Sequence, residues 1–312
     1  MQNPLQPFLD QQAFLVLDGA LATELEKRGA NLNDALWSAK ILLENPELIY
    51  RVHLEYLYAG ADILTTASYQ ASFPGFRQKG IGHQQSCELL QLSVNLARSA
   101  VEDFWKEPKN RKGRLKPLVA ASIGPYGAFL ADGSEYRGHY GISAPELHDF
   151  HREKVEFLAN SGADLLAFET IPSVLEAEIF IHIISKNNRI KSWLSFSCKN
   201  DFQISDGTLF GEVVKMADPI PEILAIGINC TPPEHIDGLL KAANLLTQKP
   251  LIVYPNSGEG WDAEHHCWTA AEKPATLHSQ ALLWYRSGAR IIGGCCRTGP
   301  EDIREVRLVL AY

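Results

Sequence analysis

Ser287-Gly288-Ala289-Arg290-Ile291-Ile292-Gly293-Gly294-Cys295-Cys296-Arg297 holds a helix stop, a buried strand and a pair of cysteines in succession. Its first four residues have counterparts in Ala59-Gly60-Ala61-Asp62 and Ser161-Gly162-Ala163-Asp164. In each, a glycine that can turn left-handed ends a helical pattern, and an apolar run begins. The same helix-to-strand turn used three times predicts the same geometry three times.

Working outward, eight apolar runs read as strands: Phe14–Leu17, Ile63–Ser68, Leu118–Ile123, Leu165–Glu169, Trp193–Cys198, Ile223–Cys230, Leu251–Pro255 and Arg290–Cys295. Most are continuously apolar rather than alternating, as expected for parallel strands covered on both faces. Helical patterns lie between them, including Glu47–Ala59, Leu89–Phe104, Pro145–Ala159 and a closing Pro300–Val309. Alternating strands and helices predict an α/β fold, a single (β/α)8 TIM barrel over residues 1–312, with its site at the C-terminal ends of the strands. A doubly wound open sheet is the alternative. It usually carries a glycine-rich phosphate loop after the first strand, and Asp18-Gly19-Ala20-Leu21-Ala22-Thr23 is not one.

Composition narrows the partners. The chain has 46% hydrophobic residues and a formal net charge of −8. An acidic chain argues against nucleic acid or an anionic membrane as the main partner. The basic run from Lys106 to Lys116 reads as a solvated loop. No apolar run approaches the roughly 20 residues of a membrane span, and the first residues lack the character of a signal peptide. Six cysteines in such a chain suggest reduced thiols and a cytoplasmic address. Small-molecule substrates are the expected partners, with the chain a monomer or small homo-oligomer.

The strand ends are polar and chemically specific. Cys230 closes the sixth run, and Cys295 with Cys296 closes the eighth. If those strands are parallel neighbours, three sulfurs gather at one end of the sheet. Three thiolates can hold Zn²⁺ with one position open, as catalytic rather than structural zinc sites do. Adjacent cysteines suit an ordinary disulfide poorly, although a vicinal redox pair is an alternative. Cys87 reads as core, and Cys198 either packs or lines the site. His265-His266-Cys267, between Trp261 and Trp268, reads as a polar loop suited to a lid or, less simply, to metal binding. Asp18 and Glu169 end apolar strands, where an unpaired charge is costly. Either each caps nearby backbone, or both face a cation such as an amino-acid ammonium. Gly293 and Gly294 are expected to let backbone approach metal or substrate.

Asp18-Gly19-Ala20 with Thr23-Glu24, Thr66-Ala67-Ser68-Tyr69-Gln70, Ser122-Ile123-Gly124-Pro125-Tyr126, Glu169-Thr170, Gly227-Ile228-Asn229-Cys230 and Gly293-Gly294-Cys295-Cys296-Arg297 together resemble the homocysteine S-methyltransferases, over essentially the whole chain. The stretch 131–138, Ala-Asp-Gly-Ser-Glu-Tyr-Arg-Gly, with Tyr254-Pro255-Asn256-Ser257-Gly258-Glu259, is most similar to the branch using S-methylmethionine. The resemblance implies Zn²⁺ on Cys230, Cys295 and Cys296, completed by the homocysteine sulfur. It implies Asp18 and Glu169 near the substrate ammonium, backbone around Ala67-Ser68 near its carboxylate, and Asn229 in the acceptor site. Tyr126, Glu135, Tyr136 and Arg137, in or after the loop that follows the third run, are the candidate donor-binding residues. Aromatic faces and carboxylates suit a sulfonium cation because they neutralise it without attacking its methyl group. The bland reading of that loop is a turn at Asp132-Gly133 followed by solvated residues; Arg137 pairs either with a donor carboxylate or simply with Glu135. The implied reaction is methyl transfer from S-methylmethionine to homocysteine, giving methionine. S-adenosylmethionine or betaine are the alternative donors, and a thiol redox protein or a zinc-sequestering protein the alternatives of another class.

Overall fold

The computed structural model of the chain describes residues 3–311, apart from 33, 35, 188, 259, 263–266 and 270–276. Eight parallel strands make one sheet: β1 (Leu15–Val16), β2 (Ile63–Thr65), β3 (Leu118–Ile123), β4 (Leu165–Ile171), β5 (Ser192–Phe196), β6 (Ile223–Asn229), β7 (Leu251–Tyr254) and, after a two-stranded hairpin of β8 (Gly260–Asp262) and β9 (Cys267–Thr269), β10 (Ala289–Ile292). The order β1-β10-β7-β6-β5-β4-β3-β2 follows the chain around a ring. A parallel bridge between Leu17 and Ile63 joins its two ends, so the sheet closes into a (β/α)8 barrel.

The recurrent turn behaves as its sequence predicts. Gly60, Gly162 and Gly288 have φ of 115°, 86° and 113°, in the left-handed region that stops a helix. In the first two turns the residue two places on then ties the new strand to its neighbour. Asp62 accepts from the Val16 amide at 3.0 Å and Asp164 from the Val119 amide at 2.8 Å. Asp62 is fully buried and is neutralised by Arg307 at 2.7 Å and Arg114 at 3.3 Å. Arg114 is therefore not part of a solvated basic loop. It also donates to the Leu57 carbonyl at 3.0 Å and is built into the floor of the barrel.

Two apolar layers result, because alternate residues of each strand point in and out. Leu15, Leu17, Ile63, Ala120, Leu165, Ala167, Trp193, Ala225, Ile252 and Ile291 form an inner cluster, joined by Leu5 and Phe8 at the first helix, Gln6–Gln12. The outward residues, such as Leu64, Phe168, Leu194, Ile226 and Val253, pack against the surrounding helices. Inward positions change character toward the C-terminal ends. Ala120 is followed by Ser122, Ala167 by Glu169, Trp193 by Ser195, and Ala225 by Gly227 and then Asn229. The apolar plug thus gives way to a polar layer at the mouth. Among the described residues no helix is long and apolar enough to cross a membrane.

Candidate active site

The sulfur cluster forms at this mouth. Cys230 follows β6 and Cys295-Cys296 follow β10; the two strands are not direct neighbours but flank β7 on either side. β7 joins the cysteine-bearing turns, since the Cys230 amide donates to the Tyr254 carbonyl at 3.1 Å and the Cys295 amide to the Pro255 carbonyl at 2.7 Å. The Cys230–Cys296 and Cys295–Cys296 sulfurs are 3.7 and 4.0 Å apart, and all three lie within 4.8 Å of one another. Tetrahedral zinc with Zn–S bonds of about 2.3 Å separates its sulfurs by about 3.8 Å, so the donor set matches that ion in both chemistry and spacing. This is the one such group among the described residues.

The thiols share a proton problem. The Cys230 thiol is held well below its usual range by hydrogen bonds from Cys295 and Cys296, against the opposing effect of burial, and Tyr136 adds to the lowering. Cys295 and Cys296 are pushed up correspondingly by the sulfur beside them and by burial. Close, buried thiols cannot all ionise without a cation between them. Cys230 also has φ 49°, a conformation that costs a non-glycine residue on the order of 1–3 kcal/mol. Its neighbour across the mouth, Thr170, has φ 61°.

Asn229 braces that second strained residue. Its Oδ1 accepts from the Thr170 amide at 2.7 Å and from Ser195 at 2.5 Å, and its Nδ2 donates to Thr170 Oγ1 at 2.8 Å. Its visible work is therefore to shape the wall beside Glu169. Glu169 is 8% exposed, accepts from Ser122 and Tyr254, and is pushed by burial up to about 7 despite those bonds. Asp18 is also raised by burial, although Thr65 supplies its amide at 2.8 Å and its hydroxyl. The proximity of Glu169 raises Asp18 further. The two carboxyls are thus close enough to influence each other electrostatically. Ser68 is fully buried and donates to the Ser122 carbonyl at 2.7 Å.

The loop after β3 reaches the sulfurs. Asp132-Gly133 is a turn, with the Ser134 amide donating to Asp132 Oδ1 at 2.9 Å. It launches a short 3-10 helix, Ser134–Tyr136, instead of solvated chain. The Tyr136 hydroxyl lies 3.1 Å from Cys230 Sγ, while the residue as a whole is 37% exposed. Glu135 carries a buried oxygen, Oε2, without a hydrogen-bond partner, and burial lifts its carboxyl to about 7. Arg137 donates to Ser134 Oγ at 3.3 Å, and among the described residues it makes no ion pair with Glu135. Tyr126 stands at the base of the loop, its ring 4.7 Å from Phe150.

Other expectations resolve differently. Gly293 and Gly294 are required by the protein's own packing. A Cβ on Gly293 would stand 2.6 Å from Leu17 Cβ, and one on Gly294 2.2 Å from Thr298 Oγ1. Cys198 is buried in the strand–helix layer and does not join the cluster. Cys87 is partly buried against the core. His265 and His266 lie outside the described residues, as does the side chain of Cys267.

Sequence reading missed Lys154, which is 3% exposed and donates to the Ser68 and Tyr69 carbonyls at 2.7 and 3.0 Å. Burial lowers it to about 7, against the pull of Glu169. It also missed Glu176. The signal was there: His151 and Lys154 interrupt the apolar stripe of Leu147, Val155 and Leu158 on helix Ala144–Ala159. Polar groups on a core-facing stripe need partners inside.

The fold and site define a closed (β/α)8 barrel with a three-cysteine cluster that could hold a metal ion and a carboxyl pair at the strand ends. Comparison with known proteins gives the family. The sequence model described as Homocysteine S-methyltransferase matches residues 15–310, and the chain belongs to that family of methyltransferases. It is 50% identical to the homocysteine S-methyltransferase YbgG of Bacillus subtilis, over 97% of this chain and 96% of that one. It is 48% identical to the homocysteine S-methyltransferase of Escherichia coli, covering 98% of each. The metallated crystal form of the Escherichia coli homocysteine methyltransferase MmuM superposes with a TM-score of 0.88 at 45% identity, over 98% of this chain and 99% of that one.

Proposed function

We propose that this chain, as one barrel spanning residues 1–312, transfers a methyl group from S-methylmethionine to homocysteine, using Zn²⁺ held by Cys230, Cys295 and Cys296. The observation that carries the reading is the sulfur triangle at tetrahedral spacing at the mouth of the barrel. Bound zinc would supply a Lewis acid that keeps a thiol deprotonated near neutral pH, where a free one of pKa about 8.5 is mostly protonated.

The protein's own groups do the rest. Glu169, backed by Asp18, receives the homocysteine ammonium, and the charge it brings favours the carboxylate form of both. Backbone around Ala67-Ser68, held by Lys154 on the Ser68 and Tyr69 carbonyls, receives the substrate carboxylate. Asn229 keeps Thr170 and the end of β4 in place behind Glu169. Tyr126, Glu135, Tyr136 and Arg137 form the donor side, with the partnerless Glu135 oxygen suited to a sulfonium. The homocysteine sulfur attacks the methyl carbon. The new S–C bond forms as the donor's S–CH₃ bond breaks, and that electron pair leaves on the donor sulfur as a neutral thioether. One thiol proton is released, and both products are methionine. Opposite charges cancel in the transition state, so excluding water and aligning the two sulfurs lower the barrier. Free thiols suit a reducing, cytoplasmic setting.

Steady-state rates with homocysteine and S-methylmethionine, S-adenosylmethionine or betaine test the reading. The expected order puts S-methylmethionine first. Negligible turnover with both sulfonium donors would refute it.

A further inference from the structure

Glu176 lies outside the sulfur site but under the loop that reaches it. It sits in the first turn of helix Val174–Ser185, whose N-cap Ser173 accepts from the Glu176 amide at 3.3 Å. Its side chain is fully buried, a costly position for a carboxylate unless it is well partnered. Three donors converge on it. The Tyr126 amide reaches Oε1 at 2.6 Å, His151 Nε2 reaches the same oxygen at 2.7 Å, and the Tyr140 hydroxyl reaches Oε2 at 2.6 Å. Burial lowers His151, and its Nδ1 has no partner, so the neutral ring carries its proton on Nε2 and donates it to Glu176.

Tyr126 and Tyr140 are the two ends of one excursion of the chain, between β3 and helix Ala144–Ala159. Their rings also meet, with centroids 5.2 Å apart. Between these ends the excursion is also tied by Gln70, which donates to the Ala128 carbonyl at 2.8 Å, and by Ser197, which donates to the Glu135 carbonyl at 3.3 Å, but among the described residues Glu176 alone holds both ends. Gly127 lies so close to the Glu135 backbone that a Cβ there would stand 2.3 Å from the Glu135 amide nitrogen. Gly138 lies equally tightly on Ser173, 2.7 Å from a built Cβ. The far side of the excursion carries Glu135 and brings the Tyr136 hydroxyl to Cys230.

We propose that Glu176 is a positioning residue for the methyl donor: by holding both ends of the 126–140 excursion on one buried carboxylate, it sets where Glu135 and Tyr136 stand over the sulfur cluster. The inference rests on the reading of that loop as the donor side. A packing role alone would lower stability without separating the two substrates. A positioning role moves the donor parameters and leaves the acceptor parameters in place.

The experiment uses the zinc-loaded full chain with Tyr140→Phe, Glu176→Gln and Glu176→Ala. KM is measured for S-methylmethionine and for homocysteine, with zinc content and hydrogen exchange of residues 127–139. Tyr140→Phe removes one hydrogen bond to a charged group and should raise the donor KM about tenfold. The homocysteine KM should stay within about twofold and the zinc content should not change, while exchange of 127–139 quickens. Glu176→Ala should go further in the same direction. In Glu176→Gln the amide oxygen can still accept from the Tyr126 amide and His151, and the amide NH2 can donate to the Tyr140 hydroxyl, which then accepts instead of donating, so this variant should recover most of the loss. If Glu176→Ala does not fold, Tyr140→Phe decides alone. Equal change in both KM values, or faster exchange with an unchanged donor KM, would overturn the inference. Glu135→Gln and Tyr136→Ala separate the two levels. If they raise the donor KM and Tyr140→Phe does not, the clamp is wrong and the donor loop stands. If none of them raises it, the donor assignment of the loop fails and the clamp falls with it.

Discussion

Replacing Glu169 with Gln tests the acceptor side most sharply, because the change keeps shape and hydrogen bonding but removes the charge. The glutamine can still face Ser122 and Tyr254. Two effects should separate. The first is binding. Loss of a charge-assisted hydrogen bond to the homocysteine ammonium costs about 1.5–3 kcal/mol, or roughly 10- to 150-fold in Kd. The second is stability, and its sign follows from the direction of the shift. The folded carboxyl titrates at about 7, raised by burial, while an unfolded Glu titrates near its ordinary value of about 4.3. Below both values the group is neutral in either state and costs nothing. As pH rises, the unfolded chain ionises first, so the folded state is penalised, and the penalty is complete above about pH 7. Its size is on the order of 3 kcal/mol. Glu169→Gln lacks this penalty, so its stability relative to wild type should rise by that order between pH 4.5 and 8. Asp18, Lys154, Tyr254 and Cys230 also face or influence Glu169. The difference between variant and wild type at each pH removes most of their common contribution. Calorimetric titration of homocysteine into zinc-loaded protein, and denaturant unfolding across the pH series, measure both effects. Unchanged homocysteine affinity together with a pH-independent stability difference would refute the reasoning.

Other outcomes follow from the same geometry. Cys230→Ala, Cys295→Ala and Cys296→Ala should each lose zinc and activity with the barrel intact by circular dichroism, because the cluster lies at the mouth and not in the inner layers; unfolding of all three would make the metal structural. Lys154→Met removes the donor to the Ser68 and Tyr69 carbonyls and should raise the homocysteine KM about tenfold with the donor KM unmoved. Gly227→Ala would drive a Cβ to 1.7 Å from the Ile252 carbonyl oxygen, so denaturant unfolding should show a loss of about 3 kcal/mol, the upper range for overpacking.

The barrel was legible because its strands are buried on both faces, which leaves continuous apolar runs, and because these alternate regularly with longer helical patterns. The limits of those runs were less so. Phe14–Leu17 reads as a full strand, yet the regular ladder of β1 spans only Leu15–Val16, with Leu17 contributing an isolated bridge. The β8–β9 hairpin was read as loop, since its short strands carry no sustained alternation. The cysteines stood out because three of them at the ends of two strands make a rare pattern, and the structure brings their sulfurs together. Lys154, His151 and Glu176 did not, because their partners come from other segments: Lys154 meets a loop 85 residues away in sequence. Gly293 and Gly294 were legible only in part for a related reason. A glycine announces close approach but not what approaches, and here it is Leu17 and Thr298.

The central claim, sulfonium-to-thiol methyl transfer at the three-cysteine centre, is tested most directly by following an isotopically labelled methyl group from S-methylmethionine into methionine. Zinc-loaded wild type, the same protein stripped by chelator, and Cys296→Ala are compared with homocysteine present in each. The account predicts rapid labelling of newly formed methionine by the loaded wild type, and loss of at least about a hundredfold in the other two. Labelling at an undiminished rate by the stripped protein or by Cys296→Ala would contradict it.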